Sequence, residues 1–319
     1  MIVVTMQILN AAATAAALPW AALVRALGRT LADARAGQAQ VPERQVLSIA
    51  PTTAWLLMPA WLHPEAGDLA AIKLITYNVA NPARGLPAIL GDVLVLRAST
   101  GERLAMLDGP TVTARRTAAV SLLAAQNLAP NRRGPLLLIG TGVQALAHAQ
   151  AFASGLGVRE VQVIGRTPDR ATEFATALCG QGLNARPAGD LVSALRDCPL
   201  VVTATPALAV CLSGRVRDDA FVAAIGAFTP TMIELDPALT RHIAAHGQVL
   251  IDSANARHEA GDLIAAGLDL AALPTLQDLQ SVPVPTGPVL FKSCGSALWD
   301  LAAARCVADG LATSGISPS

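Results

Sequence analysis

The chain has 319 residues, 53% of them hydrophobic and 14% charged, with 23 basic and 23 acidic side chains and no net charge. That balance excludes a disordered chain and leaves no basic excess for a nucleic-acid partner. The length suits two domains, or one large one.

The apolar stretch 8–27 is interrupted by Asn10, Pro19 and Arg25 and has no basic residue ahead of it, so it does not read as a signal peptide. Leu18, Leu23, Leu27 and Leu31 follow the spacing of an amphipathic helix instead. No other segment offers 18 uninterrupted apolar residues. The expectation is a soluble, cytoplasmic protein without a membrane partner. Short strands are expected at 46–49, 55–58 and 72–76. Apolar runs at 87–97 and 103–108, joined by Ala-Ser-Thr-Gly-Glu, read as a hairpin. A helix over 110–129, capped by Thr111 or Thr113, leads to a linker at 130–135. This is an α+β domain with a mostly antiparallel or mixed sheet.

Residues 134–275 alternate between strand and helix. Apolar runs fall at 136–139, 160–164, 199–203, 221–225 and 248–251, and helical patterns start near Gly142, Pro168, Asp190 and Asp236. Such alternation gives right-handed crossovers and a parallel sheet. The expectation is an α/β, Rossmann-type, doubly wound domain of six strands, with 184–188 as the weak third. After a Pro-rich stretch at 282–288, a helix over 294–312 is expected to pack back on the first domain. The division is then 1–130, completed by 290–319, around a dinucleotide-binding domain at 131–289.

The sequence Gly-Thr-Gly-Val-Gln-Ala at 140–145 follows the first of these strands and opens a helix. Gly140 permits the tight turn, and Gly142 lets the backbone approach a pyrophosphate. Free N–H groups at the helix N-terminus favour the anion, so Gly140, Thr141, Gly142 and Val143 are expected to line it. An NAD site usually carries an acid after the second strand. Here that strand runs into Arg166 and Thr167, with Arg170 one turn on. A guanidinium and a hydroxyl suit a 2′-phosphate, so NADPH is expected, with NADH weaker. Asp169 lies in the first helical turn, where acids offset the helix dipole. Thr203, Ala204 and Thr205, after the fourth strand, are expected to border the nicotinamide ribose.

Five cysteines without a CxxC read as reduced thiols rather than disulfides or zinc ligands. His242 and His246 have metal-like spacing but no accompanying Glu, and are read as solvated or capping. No metal is expected.

Several segments resemble the ornithine cyclodeaminase and mu-crystallin family. They are Leu56-Leu-Met-Pro-Ala60, Ile72-Lys-Leu-Ile-Thr76 with Asn81 and Gly85-Leu-Pro87, Leu107-Asp-Gly109, Thr113-Ala-Arg-Arg-Thr-Ala-Ala119, the turn at 140–145 and Glu234-Leu235. The likeness runs from about residue 40 to 310. It implies a homodimer built through the N-terminal domain, with NAD(P)-binding domains outside. It also implies that Arg44, Lys73 and Arg116 face the substrate. Two Arg and one Lys would clamp a carboxylate, and a Lys desolvated among cations could act as an acid or base. Lys73 lies in an apolar strand, where an unpaired cation is costly. Arg115 adjoins Arg116; only one can face the site, and the motif selects Arg116.

One departure bears on the reaction. Cyclodeaminases of this family carry an Asp in "GGDxPxxxEL"; the aligned position here is Phe228. A phenyl ring cannot pair with an ammonium, but it can pack against an uncharged ring. The segments 287–295 and 299–305 resemble the family's bacterial ketimine reductases. These reduce Δ1-pyrroline-2-carboxylate to proline and Δ1-piperideine-2-carboxylate to pipecolate. The leading expectation is therefore an NADPH-dependent oxidoreductase acting on the C=N bond of cyclic imino acids. Either water or Lys73 protonates the imine. An ornithine cyclodeaminase, an alanine-type dehydrogenase and a non-enzymatic, NADPH-dependent ligand binder of the crystallin kind are the alternatives.

Overall fold

Asn10 starts the first helix of the computed structural model, its side chain accepting a hydrogen bond from the Ala13 N–H at 3.0 Å. The structure describes residues 6–206 and 208–313. Strand β1 (Gln7–Leu9) precedes α1 (Ala11–Ala17) and α2 (Trp20–Arg35). Pro19 stops α1, because it lacks the N–H that would continue the ladder; the two helices meet at 68°. Leu18, Leu23 and Leu27 are fully buried and Leu31 nearly so, as their spacing predicts. No single described helix is long and apolar enough to cross a membrane; only the bent pair α1–α2 has the length and hydropathy when taken together.

Then follow β2 (Ala39–Gln40), β3 (Gln45–Ala50), β4 (Thr53–Leu62), β5 (Ala70–Asn78), β6 (Ile89–Leu96), β7 (Arg103–Asp108) and α3 (Gly109–Leu128). The remaining elements begin with β8 (Leu136–Ile139), α4 (Val143–Leu156), β9 (Glu160–Ile164), α5 (Pro168–Cys179), β10 (Asn184–Pro187) and α6 (Leu191–Asp197). They continue through β11 (Leu200–Thr203), β12 (Phe221–Ala224), α7 (Pro237–His246), β13 (Gln248–Ile251), α8 (Ala256–Glu259) and α9 (Gly261–Ala265). The last are β14 (Val289–Lys292) and α10 (Ala297–Thr313).

These form two compact units, residues 1–116 with 296–319 and residues 117–295. The sequence reading put the boundaries at 130/131 and 289/290. They fall instead at 116/117, part-way along α3, and at 295/296, because β14 joins the second unit's sheet. In the first unit a seven-stranded sheet has the order β1-β7-β6-β5-β4-β2, with β3 also on β4. Only β1, paired with β7, is parallel. Burial along β5 alternates: Ala71, Lys73 and Ile75 point inward, Ile72 and Leu74 outward. α10 covers the inward side of β5 and packs along α2.

The "LDG" segment turns out to be a helix start. Asp108 accepts a hydrogen bond from the Thr111 N–H at 2.8 Å, so Asp108, not Thr111 or Thr113, caps α3. A side chain on Gly109 would lie 2.6 Å from the Gly91 carbonyl, so only glycine lets β6 and α3 approach there.

The second unit holds a parallel sheet in the order β10-β9-β8-β11-β12-β14-β13. The expectation of six strands is corrected to seven. β14 inserts between β12 and β13 and pairs in parallel with both. Its four residues are wholly buried, but a run that short directly after a Pro-rich stretch carries little period to read. The helix starts expected near Pro168, Asp190 and Asp236 are met, with Thr167 capping α5, Asp190 capping α6 and Asp236 capping α7. The core of this unit gathers Leu137, Val201, Val222, Ile243, Ile251 and Leu290 from both strands and helices.

Candidate active site

In the first unit the polar cluster is built by period. Lys73 lies opposite Met58 of β4 and Val93 of β6, on the face the sheet buries. Its Nζ is 2.7 Å from Oδ2 of Asp300, and both side chains are almost wholly buried. Asp300 sits in the first turn of α10, where the helix dipole favours an anion. Its other oxygen accepts from Nε of Arg116 at 3.1 Å. One buried carboxylate thus bridges the two cations that the sequence placed in the site. Burial pushes Lys73 down; Asp300 opposes, and the Arg116 and Arg44 charges push the same way as burial. Lys73 consequently titrates at about 8 rather than 10.5. The charges of Arg116 and Arg44 thus both reach Lys73, with Arg44 half-buried.

Arg115 turns away from Asp300. Its guanidinium lies 4.0 Å over the Trp20 ring, and its Nε donates to the Leu18 carbonyl. Asp300 is the residue that sequence reasoning missed. It lay in a quoted motif, but nothing in an Ala-rich helix marks an acid as buried until the strand it faces is known.

In the second unit the strand order reverses between β8 and β11, and the loops after these two strands lie at their carboxyl ends. Gly140, at φ +120, sits against the second loop: a Cβ there would be 2.3 Å from the Ala204 carbonyl oxygen. Gly142 instead faces open space, with no atom within 4 Å of where its Cβ would lie. It precedes α4 and offers no side-chain cap, and Val143 is 71% exposed. Uncapped N–H groups beside a cradle free of side chains fit a pyrophosphate. Ala145, the third small position, is fully buried.

Arg166 and Arg170 are exposed beyond β9, and neither forms an ion pair among the described residues. Thr167 accepts from the Arg170 N–H and so caps α5. Both arginines fit a 2′-phosphate; the Thr167 hydroxyl is partly committed to the helix.

The expectation for Thr203 needs correction. It is fully buried and its hydroxyl donates to Glu234 at 3.0 Å, so its side chain supports the loop rather than facing a cofactor. Thr205 likewise donates its hydroxyl to Glu234 at 2.8 Å, while Ala204 contributes its backbone to the Gly140 approach. Phe228 lies on the loop after β12 and is 44% exposed. His242 and His246 stack at 4.4 Å on α7, and the described residues hold no metal-binding group of three or more ligands. The cysteines are free thiols; burial pushes Cys198 and Cys211 up to about 12.

The model of the ornithine cyclodeaminase/mu-crystallin family matches residues 4–315. The chain belongs to this family. The Delta(1)-pyrroline-2-carboxylate/Delta(1)-piperideine-2-carboxylate reductase of Azospirillum brasilense is 42% identical over 307 residues, 96% of each chain. Among solved structures, the Delta(1)-pyrroline-2-carboxylate reductase of Thermococcus litoralis, in complex with NADH and L-proline, matches with a TM-score of 0.87. It is 23% identical, and the match covers 97% of this chain and 98% of that one. An archaeal alanine dehydrogenase dimer with bound NAD matches at 0.84 and 22% identity, covering 98% of both. Likeness at that identity bears on the fold, and it is the Rossmann-type fold with the α+β first unit.

Proposed function

We propose that the protein is an NADPH-dependent reductase of cyclic ketimine carboxylates, acting on Δ1-pyrroline-2-carboxylate to give L-proline and on Δ1-piperideine-2-carboxylate to give L-pipecolate. The observation that carries this is the buried Lys73–Asp300–Arg116 cluster, with Arg44 beside it, in a chain that also holds a dinucleotide turn. Lys73 and Arg116 share the one carboxylate of Asp300, which leaves surplus positive charge for a substrate carboxylate. The 42% identity to the Azospirillum reductase supports the same substrate class. Gly140–Val143 hold the pyrophosphate, Arg166 and Arg170 the 2′-phosphate, and the bound nicotinamide supplies a hydride. Arg116 and Arg44 orient the carboxylate. Lys73, with its proton held near neutrality, is the group suited to protonate the ring nitrogen at Nζ. Phe228 offers an apolar wall to an uncharged ring.

The protein acts as a homodimer in this reading. The outward face of the first unit's sheet exposes Leu47, Trp55, Ile72, Leu74 and Leu90, each 36–44%. An apolar area of that kind on a soluble enzyme marks an association surface. A cytoplasmic location accords with the free thiols.

Two measurements test the reading. Ornithine with catalytic NAD is expected to release no ammonia, while a cyclic ketimine consumes NADPH stoichiometrically; ammonia release from ornithine would overturn it. NADPH preference rests on Arg166. Losing one charge-assisted contact costs about 1.5–3 kcal/mol, so Arg166→Ala is expected to raise the KM for NADPH roughly tenfold to a hundredfold and leave that for NADH nearly unchanged. An equal loss with both cofactors would make Arg166 structural.

A further inference from the structure

The second unit contains a buried acid that the proposed reaction does not use. Glu234 is fully buried, and its carboxylate accepts four hydrogen bonds. Oε1 takes the Thr205 N–H and the Thr205 hydroxyl, both at 2.8 Å. Oε2 takes the Thr203 hydroxyl at 3.0 Å and the Gly226 N–H at 2.6 Å. One carboxylate therefore ties the loop after β11 to the loop after β12. Gly226 is required for this: a Cβ there would lie 2.3 Å from Glu234 Oε1.

Glu234 is itself fixed by a second buried acid. Oδ1 of Asp262 accepts the Glu234 and Leu235 N–H groups at 2.6 and 2.9 Å. Its other oxygen pairs with Nζ of Lys292 at 2.8 Å, both side chains being wholly buried. Lys292 closes β14, the strand that the sequence reading missed. The same arrangement seats the Phe228 loop. Glu234 holds Gly226, and the carbonyls of Thr229, Pro230 and Met232 crowd the face of Gly261, where a Cβ would lie 2.1–2.9 Å away.

Buried charge is costly unless paired and hydrogen-bonded, and this network is placed where ligands of doubly wound sheets bind, at the carboxyl ends of the central strands. We propose that Glu234 is a positioning residue that holds the loops after β11 and β12 in place for the nicotinamide half of the dinucleotide. The Asp262–Lys292 pair locks its backbone. This rests on the cofactor reading above.

The test is Glu234→Gln. Whichever way the amide is turned, its NH2 faces a backbone N–H, either that of Thr205 or that of Gly226, and one bond becomes a repulsion. Titration with NADPH and with 2′,5′-ADP, which lacks the nicotinamide half, separates the roles. None of the four bonds touches Gly165–Arg170, so the fragment's Kd is expected to change by less than about threefold, while that for NADPH rises about tenfold or more. Equal affinities to wild type would overturn the proposal. So would parallel losses for both ligands, which would mark a merely structural acid. Thr203→Val removes one bond at constant shape and, should Glu234→Gln not fold, is expected to give a smaller loss with the same selectivity; no selective loss there would also overturn the proposal. Wild-type protein that binds no NADPH would instead refute the cofactor reading, and the inference with it.

Discussion

Asp300→Asn is expected to lower turnover of a cyclic ketimine by about a hundredfold or more and to destabilise the protein by about 3–5 kcal/mol. Asp300 is wholly buried and is bonded to both Lys73 and Arg116. An amide of the same shape fills the space but leaves two buried cations without a counter-charge. The loss of the counter-charge falls on Lys73. In the wild type Asp300 opposes the depression of Lys73; without it, the Lys73 pKa falls further below about 8. If Lys73 protonates the imine, wild-type turnover declines as pH rises through about 8, and the variant's decline moves to lower pH. A decline that stays near 8 in the variant would show that a group other than Lys73 sets it.

Stability follows its own sign. The folded pKa of Lys73 lies below its unfolded value, so between the two the unfolded chain binds the extra proton. The penalty for burying the charge is full below about 8 and is relieved as pH rises toward 10.5. The Asp300→Asn deficit is therefore expected to be largest at low pH. Denaturant titrations at two pH values measure it.

What was legible in the sequence follows from how local each signal is. Lys73 could be read because it is the one cation in an otherwise apolar strand and falls in a segment that resembles the family. The dinucleotide turn could be read because glycine spacing and the following helix lie within ten residues. Several helix starts were read for the same reason, whereas the one cap that was named, Thr111 or Thr113, gave way to Asp108. Partners far apart in the chain were not legible. Asp300 lies more than 180 residues from Arg116, and Glu234 meets Thr203 across 31 residues and Asp262 across 28. Only the sheet order brings these together, and β14, which reorders the sheet's edge, has too few residues to show a period. Thr203 was misassigned for a related reason. A threonine at a strand end reads alike whether it meets a ligand or a buried carboxylate.

Arg116→Lys is expected to reduce turnover of the ketimine by at least about an order of magnitude while NADPH binding persists. Only Nε of Arg116 meets Asp300, at 3.1 Å. If Arg116 holds the substrate carboxylate, its other two guanidinium nitrogens supply the planar fork that a carboxylate matches in two-pronged fashion. A lysine can keep the pair with Asp300 through its single ammonium, but it cannot do so and also present a fork. Charge is thus conserved and geometry is lost, which makes this substitution a sharper probe than alanine. The buried pair survives in some form, so the stability loss is expected to be smaller than for Asp300→Asn. The loss is expected in kcat as well as in KM, because a misoriented carboxylate swings the imine carbon out of line. If Arg44 holds the same anion, the double variant is expected to lose less than the two single losses combined. Steady-state kinetics and an NADPH titration on one preparation decide the matter. Intact turnover would remove Arg116 from the substrate pocket. Loss of NADPH binding along with turnover would make it a structural residue, since Gly140–Val143 and Arg166 belong to the other unit.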